Sequence, residues 1–405
     1  MTIEITRRDG LAALLAAAAM VGAPRLGWGA EPEIVLGAPN SLTGGFGENG
    51  QRGVWGFLIA ADEINRQGGI KSLGGAKVRV VVADTTTENP TQSTSVTRRI
   101  LDEDHAVALY GATTSAMTMA AQIEAEKSRV PIVTSSYADP LTRRGMKYTF
   151  KITAMGSRIW NFAMDSVVDM LKATRGAAPK SCGIFMGPDA VSVAVSKALP
   201  KEAARIGLPV VTHVDFQGNL TDPSVVVSPI LQKKPEVIFL SAFLDDAVLI
   251  LRTLRGLNIK TPVVAAGGIS TDSAGKTLGA AAEGVIMPWS WNWDLPVPGE
   301  TEFVALYKKA HPGAPYPPNN EQLGLGYAAG LIIRQALEKA ASRDGTKIRD
   351  VLASTEFTRL PIPATKVAFD ATGLNKDAAL ILTEWHHGAA HTVWPPKLQA
   401  MKPVI

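Results

Sequence analysis

From Glu33 onward, short apolar runs alternate with longer stretches whose apolar residues recur at helical spacing, and this alternation leaves few folds open. Glu33 to Pro39 (EIVLGAP) reads as a strand. Val54, Phe57, Leu58, Ala61 and Ile64 then share one helical face until Gly68-Gly69 stops it. Strands are predicted at Val78 to Asp84, Val107 to Gly111 and Pro131 to Ser135, separated by helices over Asn89 to Glu103 and Ser115 to Lys127. Such a βαβ series implies a parallel sheet covered by helices on both faces.

The pattern restarts after Thr153. Helices are expected over Ile159 to Ala173, over Ala190 to Ile206 (bent or divided by Pro200) and over Asp245 to Leu257. Strands fall at Gly183 to Met186, Val210 to Val214, Val237 to Ser241 and Pro262 to Ala266. The segment Pro288 to Pro298 (PWSWNWDLPVP) breaks the rhythm before helices at Thr301 to Ala310 and Glu321 to Ala341. Leu380 to Trp385, the turn His386-His387-Gly388-Ala389 and Thr392 to Trp394 form an expected exposed hairpin. The fold class is therefore α/β, with two doubly wound, Rossmann-like lobes.

Composition agrees with a globular chain. At 46% hydrophobic and 19% charged residues, with 37 Gly and 26 Pro in 405, disorder and collagen-like repeats are excluded. The formal charge of +4 is too small and too evenly spread to argue for nucleic acid. Ahead of the globule, Arg7-Arg8 precede an apolar run from Leu11 to Ala23 that is too short to span a bilayer. Residues 1–30 read as a twin-arginine export leader, with Gly27 and Gly29 beside the cleavage point. The single cysteine, Cys182, lies far behind that run, so neither a disulfide nor a lipid anchor is expected. It reads as a small buried hydrophobe.

Several catalytic patterns fail. Gly275-Lys276-Thr277 has Ser270 where a phosphate loop needs glycine, and Ser273 with Lys276 lacks the companion motifs of a serine hydrolase. Gly44, Gly45, Gly47 and Gly50 match a dinucleotide fingerprint only loosely, with Asp84 the lone ribose-anchor candidate. His386, His387 and His391 on the hairpin fall short of a convergent metal set, and a solvated turn is the simpler reading. No cofactor, metal or catalytic residue is expected.

Polar groups cluster instead at predicted strand ends: Asn40 to Phe46, Thr113-Thr114-Ser115, and Thr134-Ser135-Ser136-Tyr137. In an open parallel sheet ligands sit at those ends. The second group also begins a helix, whose free N–H groups suit a carboxylate. Ordinary capping by Thr and Ser is the alternative for any one of these groups.

The order of Ile34 to Gly50 (IVLGAPNSLTGGFGENG), Asp62 to Asn65 with Gly68 to Ile70, Gly111 to Ser115, Pro131 to Thr142, Ala282-Glu283-Gly284 and Val367 to Asn375 (VAFDATGLN) resembles a known family. It is similar to the solute-binding proteins of branched-chain amino acid ABC importers, the type I periplasmic binding fold. The resemblance implies a non-enzymatic periplasmic receptor, monomeric, that closes two lobes about one small solute and delivers it to a membrane permease. It implies an N-terminal lobe from 31–153 with 287–360, and a C-terminal lobe from 154–286 with 361–405. It places Ser115 and Ala116 at the ligand carboxylate, Ser136, Tyr137 and Ala138 on the adjoining loop, and Phe46 and Asn49 at the side-chain pocket. Val191 falls where leucine-type receptors carry tyrosine, and Phe243 on another aromatic position.

Gly267 is the departure, for it aligns with the glutamate that pairs with the ligand's ammonium. An ammonium enclosed without a partner costs several kcal/mol. Either Asp189, Asp245 or Asp246 substitutes, or the ligand is a hydrophobic or aromatic carboxylate, or an amide, without an amino group. Trp289, Trp291 and Trp293 alternate along an extended segment, which places them together on one face at the cleft mouth, or packs them beneath the surface or at a lobe edge.

Overall fold

In the computed structural model, which describes residues 33–404, the alternation becomes two sheets. The expected leader lies outside the described residues. The chain first lays down β1 (Ile34–Asn40), α1 (Gly47–Arg66), β2 (Val78–Asp84), α2 (Pro90–Asp102), β3 (Ala108–Tyr110), α3 (Ser115–Ser128), β4 (Ile132–Thr134) and β5 (Thr149–Lys151). These strands form one parallel sheet in the order β2-β1-β3-β4-β5.

A second series follows: α4 (Gly156–Arg175), β6 (Cys182–Met186), α5 (Ala190–Val195), α6 (Leu199–Arg205), β7 (Val210–Asp215), α7 (Ser224–Lys233), β8 (Val237–Ala242), α8 (Leu244–Gly256), β9 (Val263–Gly267), α9 (Asp272–Leu278) and β10 (Val285–Trp289). Then α10 (Glu300–Ala310), α11 (Glu321–Ala340) and α12 (Gly345–Ser354) return to the first sheet, where α11 runs along α1. A ribbon of β11 (Glu356–Thr358) and β12 (Lys366–Ala368) precedes β13 (Ile381–His386) and β14 (Ala389–Trp394), which extend the second sheet to β14-β13-β10-β9-β8-β6-β7. Strand order reverses beside β1 in one sheet and beside β6 in the other, and each reversal opens a crevice at the carboxyl ends.

Local chemistry explains the elements. β6 and β8 are buried at every residue, as strands covered on both faces must be. Asn89 caps α2 ahead of Pro90, and Thr114 caps α3 through the Met117 N–H. The chain between Ala190 and Ile206 is divided: α5 ends, a 3-10 turn covers Ser196–Ala198, and Pro200 sits in the first turn of α6.

Of the placements open to the tryptophans, packing beneath the surface is the one found, and they do not line a cleft mouth. Trp289 and Trp291 are buried in the core, the Trp291 indole donating to Glu300 and the Trp293 indole to the Ala390 carbonyl. The hairpin forms with His387 and Gly388 exposed in its turn, but its strands are not exposed as expected: β13 is buried and pairs antiparallel with β10. His391 bonds Asp294 at 3.0 Å, and His386 lies 2.5 Å from Glu283, which also accepts the His387 backbone N–H. Cys182 is fully buried, and burial pushes its thiol up to about 12.

Candidate ligand-binding site

The carboxyl ends of both sheets face one cavity of about 790 Å³, within the range of small-molecule sites. From the first sheet, the loop after β1 brings Phe46 and Asn49, the turn after β3 brings Thr113, Thr114, Ser115 and Ala116, and the loop after β4 brings Tyr137. From the second, the loop after β6 brings Asp189 and Val191, the end of β8 brings Phe243, and the end of β9 brings Gly267. The rings of Phe46 and Phe243 meet across the cavity edge-to-face, 6.0 Å between centroids.

Eight of the ten sequence-selected residues thus border one space, while Ser136 and Ala138 stand behind its wall. The Ser136 hydroxyl bonds the Thr113 carbonyl at 2.9 Å and the Thr118 hydroxyl at 2.7 Å, stitching β4 to the turn before α3. The Ala138 N–H donates to Ser115 Oγ at 3.0 Å, which leaves the Ser115 proton free to donate into the cavity. Thr113 turns the chain through the left-handed region (φ 67°), held by its hydroxyl's bond to Asn40 at 2.8 Å. At the start of α3 the Met117 N–H is capped by Thr114 and the Thr118 N–H by the Thr114 carbonyl, which leaves the N–H groups of Ser115 and Ala116, two residues that border the cavity, beside the Ser115 hydroxyl, an arrangement that suits a carboxylate.

Gly267 cannot carry a side chain on this backbone. Its φ is +90°, and a Cβ there would lie 2.5 Å from the Ala242 carbonyl oxygen. The aspartates nearby are occupied or exposed. Asp189 caps α5 and accepts the hydroxyls of Ser192 and Ser241, Asp246 accepts the N–H groups of Asn219 and Leu220, and Asp245 is exposed.

Three contributors escaped the sequence reading. Lys151 on β5, completely buried, donates from Nζ to the carbonyls of Tyr137 (2.5 Å) and Ala138 (3.4 Å), fixing the loop that holds Ser115; burial lowers its pKa to about 7. Glu321 and Gln322, the first residues of α11, reach the cavity from beyond β10. The Tyr137 hydroxyl and the Ser290 N–H both donate to Glu321 Oε2 at 2.7 Å, and burial raises its carboxyl to about 7. Two polar residues opening the otherwise apolar LGLGYAAG run were the only sequence signal, and an acid in a first helical turn is ordinary.

Two sheets facing across one cavity define a two-lobed α/β binding protein. A family model for periplasmic binding proteins matches residues 33–390, and the chain belongs to that family. Among curated relatives it is similar to a Leu/Ile/Val-binding protein homolog 8 of Brucella abortus, 25% identical over 380 residues, covering 90% of this chain and 91% of the relative. Among solved structures it resembles a branched-chain amino acid transporter substrate-binding protein of Streptococcus pneumoniae in complex with isoleucine (TM-score 0.75, 21% identity, 90% of this chain and 100% of that one). It also resembles a solute-binding protein of R. palustris in complex with benzoate (TM-score 0.73, 17% identity, 89% and 95%).

Proposed function

We propose that the chain is the exported receptor of an ABC importer, capturing one small solute between its lobes and presenting it, as a monomer, to a membrane permease. No catalytic role is assigned. The observation that carries this reading is the cavity itself: the start of α3 offers N–H groups and the Ser115 hydroxyl, while Phe46 and Phe243 add apolar lining. A carboxylate headed by a hydrophobic body fits that pairing. No helix among the described residues is long and apolar enough to cross a membrane.

Lobe membership follows the sheets in this reading. The first lobe combines 31–153 with 287–360 and the second 154–286 with 361–405, except that the last crossing falls later than the expected 360, between Asn375 and Ile381, because Leu374 bridges Lys151 of β5. A solute without an amino group is the second reading, favoured by the closed backbone at Gly267.

A thermal-shift screen of leucine, isoleucine, valine, benzoate and small aliphatic amides tests the proposal. A ligand at about a hundred times its Kd stabilises by about 2.7 kcal/mol. A folded protein that none of these shifts removes the receptor reading for this solute class.

A further inference from the structure

Among the described residues, the carboxyl side chains Glu48, Glu88, Asp189, Asp245, Asp246 and Glu321 border the cavity, and no lysine, arginine or histidine does. Five of these have other business. Glu48 bonds Arg52 and Ser273, Asp189 and Asp246 are spent on helix and loop N–H groups, and Glu88 and Asp245 are exposed. Glu321 differs. It is 7% exposed and borders the cavity; two donors hold Oε2, and no hydrogen bond among the described residues reaches Oε1. A buried carboxylate in a cavity wall with one oxygen unbonded is an unmet acceptor.

We propose that Glu321 is the counter-group for an ammonium or similar cation on the solute, so that the cavity selects zwitterions or cations over plain carboxylates. The role that Gly267 cannot fill is thereby supplied from α11, on the first-lobe side. This rests on the cavity being the solute site. A monocarboxylate would bring a further negative charge into a space whose fixed charges are all negative, whereas a zwitterion places its carboxylate at α3 and its ammonium at Glu321.

The carboxyl near 7 adds a second readout. Facing it are Tyr137 and, from β3, Tyr110, both hydroxyls pushed up by burial and so neutral. Lys151 lies beneath the Tyr137 carbonyl, and the other five acids line the remaining wall. An ammonium favours ionised Glu321, so affinity for a cationic probe rises as pH climbs through about 7.

Titration calorimetry with leucine, 4-methylpentanoate and 3-methylbutylamine, and with phenylalanine, 3-phenylpropanoate and phenethylamine, decides the matter. The expected result is that an amine-bearing member binds at least about tenfold tighter than its des-amino acid, that Glu321→Gln removes that advantage, and that wild-type affinity rises from about pH 6 to about pH 8 while the variant's does not. A des-amino acid bound equally by wild type and Glu321→Gln, but lost in Ser115→Ala, overturns the Glu321 assignment and leaves the receptor reading standing. A panel in which nothing binds overturns both. Should Glu321→Gln fail to fold by circular dichroism, the wild-type contrast of amine with des-amino probe, and its pH profile, decide alone.

Discussion

Ser115 and Lys151 show how the proposed site is built at the scale of one residue. Ser115 Oγ accepts the Ala138 N–H, so its own proton is aimed outward; Ser115→Ala is expected to weaken solute binding by more than about 1 kcal/mol in a calorimetric titration. Unchanged affinity would remove Ser115 from the site. Lys151 acts one layer back, through the carbonyls of Tyr137 and Ala138. Its pKa falls from 10.5 in the open chain to about 7 when buried. Between those values the unfolded chain binds a proton that the folded one does not, so stability climbs with pH across that window. Urea midpoints measured at about pH 7 and about pH 9.5 should rise in the wild type, and the rise attributable to this residue should vanish in Lys151→Met. An identical slope in the variant would assign the burial shift elsewhere.

At the level of elements, the close approach of α1 and α11 sets the position of the cavity floor. A Cβ on Gly326 would lie 2.0 Å from the Gly53 carbonyl oxygen, and one on Gly56 would lie 1.9 Å from that of Leu323. Gly326→Leu must push the helices apart, at a cost of about 1–3 kcal/mol or more, and α11 carries Glu321 with it. A lowered melting temperature together with weakened binding is expected; retained affinity would separate floor position from helix spacing. The end of β9 makes a similar demand, so Gly267→Glu is expected to destabilise the fold rather than install an ammonium partner. A variant that melted at the wild-type temperature and bound leucine more tightly would contradict this. α7 went unread in the sequence because Pro223 and Pro229 mask its period, and β10 because Pro288 and the flanking tryptophans look like a loop.

Across the whole molecule, the two halves touch through more than the cavity walls. Arg52 of α1 pairs with Asp272 of α9 at 2.8 Å, both side chains under a tenth exposed, and Asp272 also accepts the Asn319 N–H at 2.7 Å. Ser273 bonds Glu48 beside them. Removing one partner of a buried pair leaves an uncompensated charge, at about 3–5 kcal/mol. Arg52→Ala should therefore favour separated lobes. Small-angle scattering is expected to show a larger radius of gyration for the variant, with weaker solute binding; identical scattering from variant and wild type would mean that this pair does not hold the halves together.

The sequence by itself determined the two βαβ series, most strand positions and the polar turns after β1, β3 and β4, because periodicity and turn chemistry are local properties. It pointed to Ser115, Tyr137 and Phe46 for the same reason, since residues at strand ends of an open sheet converge by topology, while Phe243 came only from the family resemblance. Only the tertiary structure decided that Trp289 and Trp291 are core, that the histidine hairpin is a sheet edge, and that Gly267 admits no side chain. Glu321 belongs with these. Its neighbours Tyr137 and Ser290 come from distant segments, and nothing local distinguishes a helix-starting acid turned to solvent from one turned into a cavity.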